Sequence, residues 1–296
     1  MVLFSLNFLF SCLLLYTFLR AGLASQAAGT ETLVGIIGKD FVLLGADSSV
    51  SQSISLTASN LDKIAALSEP FFYDDERSAL PSQQQTIVAA AAGDAADSDR
   101  LVGMLQAHAA IQEYQSGLGC DVDYFPDDAM VTEPGLDVEA MAYLARGQIA
   151  SALRSRAPLK VCLLIAGMMA SDEEDTPTSF VSEKVQEQVR HARVSASPTR
   201  KETSTDTIPT KPALQPRLYW LDEYGSLQKI QYGAHGYGSN FCLSILDQGF
   251  SPHMTQEEAT KLLRDCFQQL RTRFVINSPQ PPCIKCVDAN GVRLIR

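Results

Sequence analysis

The sequence contains no GxSxG elbow, no Walker A loop and no cysteine in a Cys–His signature, which removes serine hydrolases of that type, P-loop enzymes and papain-like proteases. The glycine-rich GAHGYG at 233–238 has the wrong spacing for a dinucleotide fingerprint. Positive charge is also scarce. Twenty-four Lys and Arg against 34 Asp and Glu leave a net charge of -10, with a pI near 4.9. Phosphate contacts need clustered Lys and Arg, so nucleic acid is excluded as the main partner. Of seven cysteines (Cys12, Cys120, Cys162, Cys242, Cys266, Cys283 and Cys286), only the last two form a CxxC. An odd, scattered set is no secreted disulfide framework. PPCIKCVDANGV reads as a strand entering a turn, and residues three apart on a strand face opposite sides, which opposes a shared metal. No HExxH or HxxE surrounds His108, and His235 has neither a neighbouring nucleophile nor a second ligand. His108 reads as a packed or edge residue on a helix, and His235 as a turn residue.

What is present is a long chain with a large core. Its 296 residues, 46% hydrophobic, suit one α/β-sized domain with decorations. The organising stretch is 29–63, GTETLVGIIGKDFVLLGADSSVSQSISLTASNLDK. Two apolar, partly β-branched runs, 32–37 and 41–44, flank Gly38, Lys39 and Asp40, the pattern of a buried β-hairpin. Strands follow over 64–67, 86–92 and 160–165. Acidic caps at 94–97 open a helix with Leu101, Met104, Leu105, His108 and Ile111 on one face. A second helix spans 137–156, with Val138, Met141, Ala145, Ile149, Ala152 and Leu153 inward, and ends before Pro158. A third covers 239–248. The fourth begins with the capping box Thr255-x-x-Glu258 and carries Ala259, Leu262, Leu263, Cys266, Phe267, Leu270 and Phe274 at helical spacing. A terminal hairpin pairs 283–287 with 292–295 around a turn at 288–291. This order limits the fold to α+β.

Two segments stand apart. Residues 2–19 are almost continuously apolar, which alone suggests a signal peptide or short anchor. No Lys or Arg precedes the run and Arg20 follows it, so a propeptide or upstream gene-model extension ending near Gly29 competes. Residues 171–216 are rich in Ser, Thr, Pro and charge and almost lack large apolar residues, so they cannot offset their ordering entropy and read as a disordered surface insertion. Lys184, Glu187 and Arg190 suit a short charged helix over 183–193. Smaller excursions are expected at 70–84 and 116–136.

Gly29-Thr30 before the hairpin, Asp47 at its far end and Lys63 sixteen residues later resemble the beta subunits of the proteasome core particle, members of the N-terminal-nucleophile hydrolases. RSR at 154–156, LLIAG at 163–167, GAHGYGSNFCLSILD at 233–247 and RFVIN at 273–277 resemble the beta type-2 subunit, also called beta-4. The resemblance covers 30–296 apart from insertions. It implies an N-terminal-nucleophile hydrolase-like four-layer αββα sandwich with disordered surface insertions. Other beta and alpha subunits and assembly chaperones are the implied partners, in cytoplasm and nucleus, with no cofactor, no metal and no role for a membrane. It also tips the reading of 1–29 towards an extension.

In that family a threonine freed by cleavage after Gly attacks the scissile carbonyl, its α-amine takes the proton, and a Lys held by an Asp lowers the basicity of the site. By resemblance Thr30, after a one-residue adjustment in the turn at 38–40, falls on the nucleophile. Asp47 and Lys63 fall on the Asp and Lys, and Gly93 on the oxyanion amide. The supporting positions differ. A Ser in the G-S-G turn is here Tyr237, and an Asp and a Ser near the end of the fourth helix are Phe274 and Asn277. Aromatic rings cannot orient an amine or relay a proton as that Ser and Asp do. The expectation is therefore a noncatalytic structural beta subunit in which Asp47 and Lys63 remain as an ion pair. The alternative is an active threonine endopeptidase subunit released by cleavage after Gly29.

Overall fold

The computed structural model describes residues 31–52, 55–68, 86–115, 137–170, 214–273 and 280–295. The extension 1–29, Thr30, Phe274, Asn277, the excursions 70–84 and 116–136 and the helix over 183–193 lie outside the described residues. The insertion 171–216 does too, except for its last three residues, which belong to a strand. In chain order the strands are β1 (Thr32–Ile37), β2 (Phe41–Ala46), β3 (Val50–Gln52), β4 (Ser55–Ala58), β5 (Ile64–Ser68) and β6 (Ile87–Gly93). Helices α1 (Ala95–Gln115) and α2 (Val138–Leu153) come next. Then follow β7 (Val161–Ala170), β8 (Leu214–Leu221), β9 (Leu227–Lys229), β10 (Tyr232–Gly236), α3 (Ser239–Gly249), α4 (Gln256–Arg273), β11 (Cys283–Asp288) and β12 (Gly291–Leu294). All but the ends of β7 and β8 belong to one unit, Met1–Met169 with Pro216–Arg296.

Among the described residues, two five-stranded sheets carry the fold, ordered β10-β1-β2-β11-β12 and β5-β6-β7-β8-β9, beside a small β3-β4 hairpin. The first hairpin has the register its sequence predicts: Leu33 pairs with Ala46 and Ile37 with Val42, antiparallel. Gly38 closes the turn by donating to the Phe41 carbonyl at 2.9 Å.

The apolar residues sort into three layers, which is why the inner strands are apolar on both sides. One parity of β1 and β2 (Leu33, Val42, Leu44) meets Val88, Ala90, Ala92, Leu164 and Ala166 between the sheets. The other parity (Val34, Ile36, Leu43) packs under α3 and α4 through Leu246, Leu263, Cys266 and Phe267. Ile87, Ala89, Leu163 and Ile165 face α1 and α2 through Leu101, Leu105, Met141, Ala145 and Ile149. Alternation at period 2 and burial on both faces produce helix, sheet, sheet, helix, the four-layer αββα sandwich. Each such Leu or Ile contributes about 1.5–3 kcal/mol by leaving water.

The helices begin where their caps predict. Asp94 Oδ1 accepts from the Ala96 and Asp97 amides at 3.1 and 3.2 Å, and Asp137 Oδ1 accepts from Ala140 N at 2.6 Å. The Thr255 amide donates to Glu258 Oε2 at 2.9 Å, while Glu258 N donates back to Thr255 Oγ1 at 3.4 Å. That is the capping box.

Several expectations are corrected. The inward line of α1 is Leu101, Leu105 and Ala109, whereas His108 is exposed and Ile111 is 54% exposed. Ala109, small enough to carry little pattern weight, takes the inward place. Leu153 at the end of α2 is likewise exposed. Strand β7 runs on to Ala170, and β3, β4 and β9 are strands the pattern did not show. Most consequentially, His235, expected in a turn, lies in the edge strand β10, where Thr32 pairs with Gly236 and Ile36 with Tyr232. The neighbouring strand supplies hydrogen bonds that override the low strand propensity of glycine. Cys283 and Cys286 on β11 do face opposite ways, Cys283 to the inter-sheet layer and Cys286 to the helix layer.

Candidate functional site

Four strand ends converge on one buried cluster. Glu31 stands just before β1 and Asp47 just after β2, so the antiparallel pairing brings them to the same end, with Asp47 N donating to Thr32 O at 3.1 Å. Lys63 stands just before β5 in the other sheet, where its carbonyl accepts from Ala91 N at 3.0 Å. Gly93 ends β6.

Lys63 is the hub. Its ammonium donates to Asp47 Oδ1 at 2.6 Å and to Ser49 O at 2.6 Å, and it lies 3.2 Å from Glu31 Oε1. Three contacts match the three donors of an ammonium. The other Glu31 oxygen, Oε2, accepts from the Gly93 amide at 3.0 Å. All three side chains are nearly dry: 3% exposed for Lys63, 7% for Glu31 and 14% for Asp47. Burial pushes the Asp47 carboxyl up to about 6, with the negative Glu31 adding to the rise, against the Lys63 charge and hydrogen bond that pull it down. Desolvation prevails because Lys63 divides its charge between two carboxylates and a carbonyl.

Glycines shape the cluster. Gly93 adopts φ +136°, and a Cβ there would lie 2.1 Å from the Lys160 carbonyl. Only glycine therefore aims this amide at the carboxylate. Gly236, at φ +89°, lets the Glu31 carbonyl approach so closely that a Cβ would sit 1.7 Å from it.

The expected residues divide accordingly. Asp47, Lys63 and Gly93 are brought together. Thr30, Phe274 and Asn277 lie outside the described residues. Tyr237 sits in the turn between β10 and α3, 47% exposed, between the two glycines that contact the Glu31–Thr32 backbone and the Thr32 hydroxyl. His235 is not a turn residue. It is 5% exposed on β10, stacks on Trp220 with ring centroids 4.5 Å apart, and places Nε2 3.2 Å from the Leu163 carbonyl. Burial holds its pKa down at about 4, so it is a neutral interior residue.

Glu31 was missed, although the sequence held its signal. It shares the parity of Leu33, the inter-sheet parity, whereas Thr32, Val34 and Ile36 have the helix-side parity. The side chain that meets Asp47, Lys63 and the Gly93 amide is a carboxylate.

An αββα sandwich with an Asp–Lys pair and a glycine amide gathered where the first strand begins is the fold of the N-terminal-nucleophile hydrolases. Residues 211–281 match the family model described as "Proteasome subunit". The chain is 27% identical over 262 residues to the probable proteasome subunit beta type-4 of Neurospora crassa, covering 88% of this chain and 93% of that one. It is 27% identical over 263 residues to proteasome subunit beta type-2 of Oryza sativa, covering 89% and 88%. Against proteasome subunit beta type-4 of Saccharomyces cerevisiae it is 24% identical over 265 residues, covering 90% and 96%. Along most of its length the chain is similar to proteasome subunits of beta type-2 and type-4.

Proposed function

We propose that this chain is a noncatalytic structural beta subunit of the 20S proteasome core, built of residues 30–296. In this reading it completes the beta ring and the proteolytic chamber beside other beta and alpha subunits. The observation that carries the proposal is Glu31. In a threonine hydrolase, the space beside the Asp–Lys pair and the oxyanion amide must admit a hydroxyl nucleophile and then the substrate carbonyl oxygen. Here a carboxylate fills it, bonded at 3.2 Å to Lys63 and 3.0 Å to the Gly93 amide. A carboxylate in that place is held by both donors and would repel an incoming oxyanion. Tyr237, Phe274 and Asn277 support the same reading, because the hydroxyl and carboxylate partners of an N-terminal amine are replaced at those positions. Asp47 and Lys63 are then a structural ion pair.

The family resemblance further suggests that the subunit works in cytoplasm and nucleus, with assembly chaperones among its transient partners. No helix among the described residues is long and apolar enough to cross a membrane. The competing reading, an active threonine endopeptidase subunit released by cleavage after Gly29, rests on the intact Asp47–Lys63 pair. Particles carrying Thr30→Ala test the choice. All peptidase activities should stay at their wild-type level, since no transition-state contact is removed. Leu263→Ala or Phe267→Ala, each opening a cavity under α4, should cost about 2–5 kcal/mol and impair assembly before cleavage specificity. Loss of one cleavage activity in fully assembled Thr30→Ala particles would sink the noncatalytic reading.

A further inference from the structure

Lys63 and the Gly93 amide converge on a single carboxylate from two directions, one oxygen each. Neither donor depends on Glu31 for its position. Lys63 is fixed by Asp47 Oδ1 and by the Ser49 carbonyl, both at 2.6 Å. The Gly93 amide is fixed by its φ of +136° against the Lys160 carbonyl, and Asp94 N holds that same carbonyl at 2.9 Å. The pair is thus a preformed receptor, with a point charge for one oxygen and a neutral amide for the other, in a space closed to water. Its occupant is tethered, since Glu31 belongs to the strand end that Gly236 and Asp47 hold in place.

We propose that Lys63 and Gly93 form a carboxylate-binding site that Glu31 fills as a built-in ligand, latching the start of β1 in one sheet to the end of β6 in the other. Emptied of that side chain, the site takes a small monocarboxylate from solution. The size follows from the side chain, since Glu31→Ala removes a CH2COO⁻ fragment, which is acetate in outline. The receptor is a matter of charge and geometry alone, independent of whether the subunit cleaves peptides, so its failure and that of the noncatalytic reading are separately visible.

The test uses the full chain as wild type, as Glu31→Ala and as Glu31→Ala/Lys63→Met, melted at pH 7 in sodium acetate or in sodium chloride of equal ionic strength. Glu31→Ala should melt below wild type. Acetate at about tenfold its dissociation constant should raise the melting temperature of this variant by about 3–5 °C in a saturable way. Wild type, whose site is full, and the double variant, which lacks the charge, should show no acetate-specific rise. Equal melting of Glu31→Ala in acetate and chloride, or an equal acetate effect in all three chains, would overturn the proposal. If Glu31→Ala does not fold well enough to melt, the yield of folded chain after refolding replaces the melting temperature. A higher yield in acetate than in chloride, confined to Glu31→Ala, supports the site, and equal yields reject it.

Discussion

Replacing Lys63 by methionine removes the ammonium at the centre of a dry cluster while keeping most of the side chain's length. The ammonium is 3% exposed and has two contacts at 2.6 Å and one at 3.2 Å, so its loss leaves Glu31 and Asp47 facing each other without a counter-charge. Breaking a buried ionic group from one side costs about 3–5 kcal/mol. At roughly 2–4 °C per kcal/mol, that is a fall of about 6–20 °C in melting temperature. The sign of the pH dependence follows from the remaining carboxylates. Burial already raises the Asp47 carboxyl above its unfolded value and losing Lys63 removes the charge that pulls it down, so its contribution is fully present at low pH and is lost as pH rises. The deficit against wild type should therefore shrink as pH falls towards 4 and be largest at neutral pH. A neutral triple variant, Glu31→Gln/Asp47→Asn/Lys63→Met, should recover most of the loss, because it leaves no buried charge unpaired. Urea unfolding of the full chains at pH 4.5 and 7 reads all of this. A Lys63→Met deficit under about 1 kcal/mol at pH 7, or a triple variant no more stable than the single one, would refute the reasoning.

Three further substitutions probe the same end of the sandwich. Gly236→Ala should destabilise by more than the roughly 1 kcal/mol of a backbone effect alone, since its Cβ would overlap the Glu31 carbonyl; a variant as stable as wild type in thermal unfolding would contradict the close approach. Asp47 and His235 should give opposite pH slopes. Asp47, raised to about 6 from 3.8, contributes stability present below its unfolded pKa and lost as pH rises through 6, so wild type should lose ground to Asp47→Asn between about pH 4 and 6. His235, lowered from 6.5 to about 4, contributes stability present above pH 6.5 and lost as pH falls towards 4, so wild type should gain on His235→Asn across the same window as pH rises. Slopes of equal sign would show that burial does not govern these two groups.

Much of the architecture was legible because alternation and caps are local. The hairpin 32–46 carries its register in the spacing of Leu33, Val34, Ile36 and the apolar run from Phe41, and α4 announces itself through Thr255, Glu258 and the stripe from Ala259 to Leu270. Strand β10 was not legible, since GAHG has the composition of a turn and becomes a strand only by pairing with β1. His235 was misread for the same reason. The short strands β3, β4 and β9 are fixed by their partners, not by any period of their own. At the site, Asp47, Lys63 and Gly93 were found by resemblance and Glu31 was not. The resemblance places the family's threonine on Thr30, whereas the parity of Leu33 points Glu31 into the space between the sheets.

The central claim is that no threonine nucleophile operates at this site, and the most direct measurement is labelling of the native particle with a threonine-directed epoxyketone, followed by intact-mass analysis of this subunit. The account predicts a chain that carries no label under conditions that saturate the active subunits of the same particle. A chain beginning at Thr30 and bearing one equivalent of the epoxyketone would contradict it.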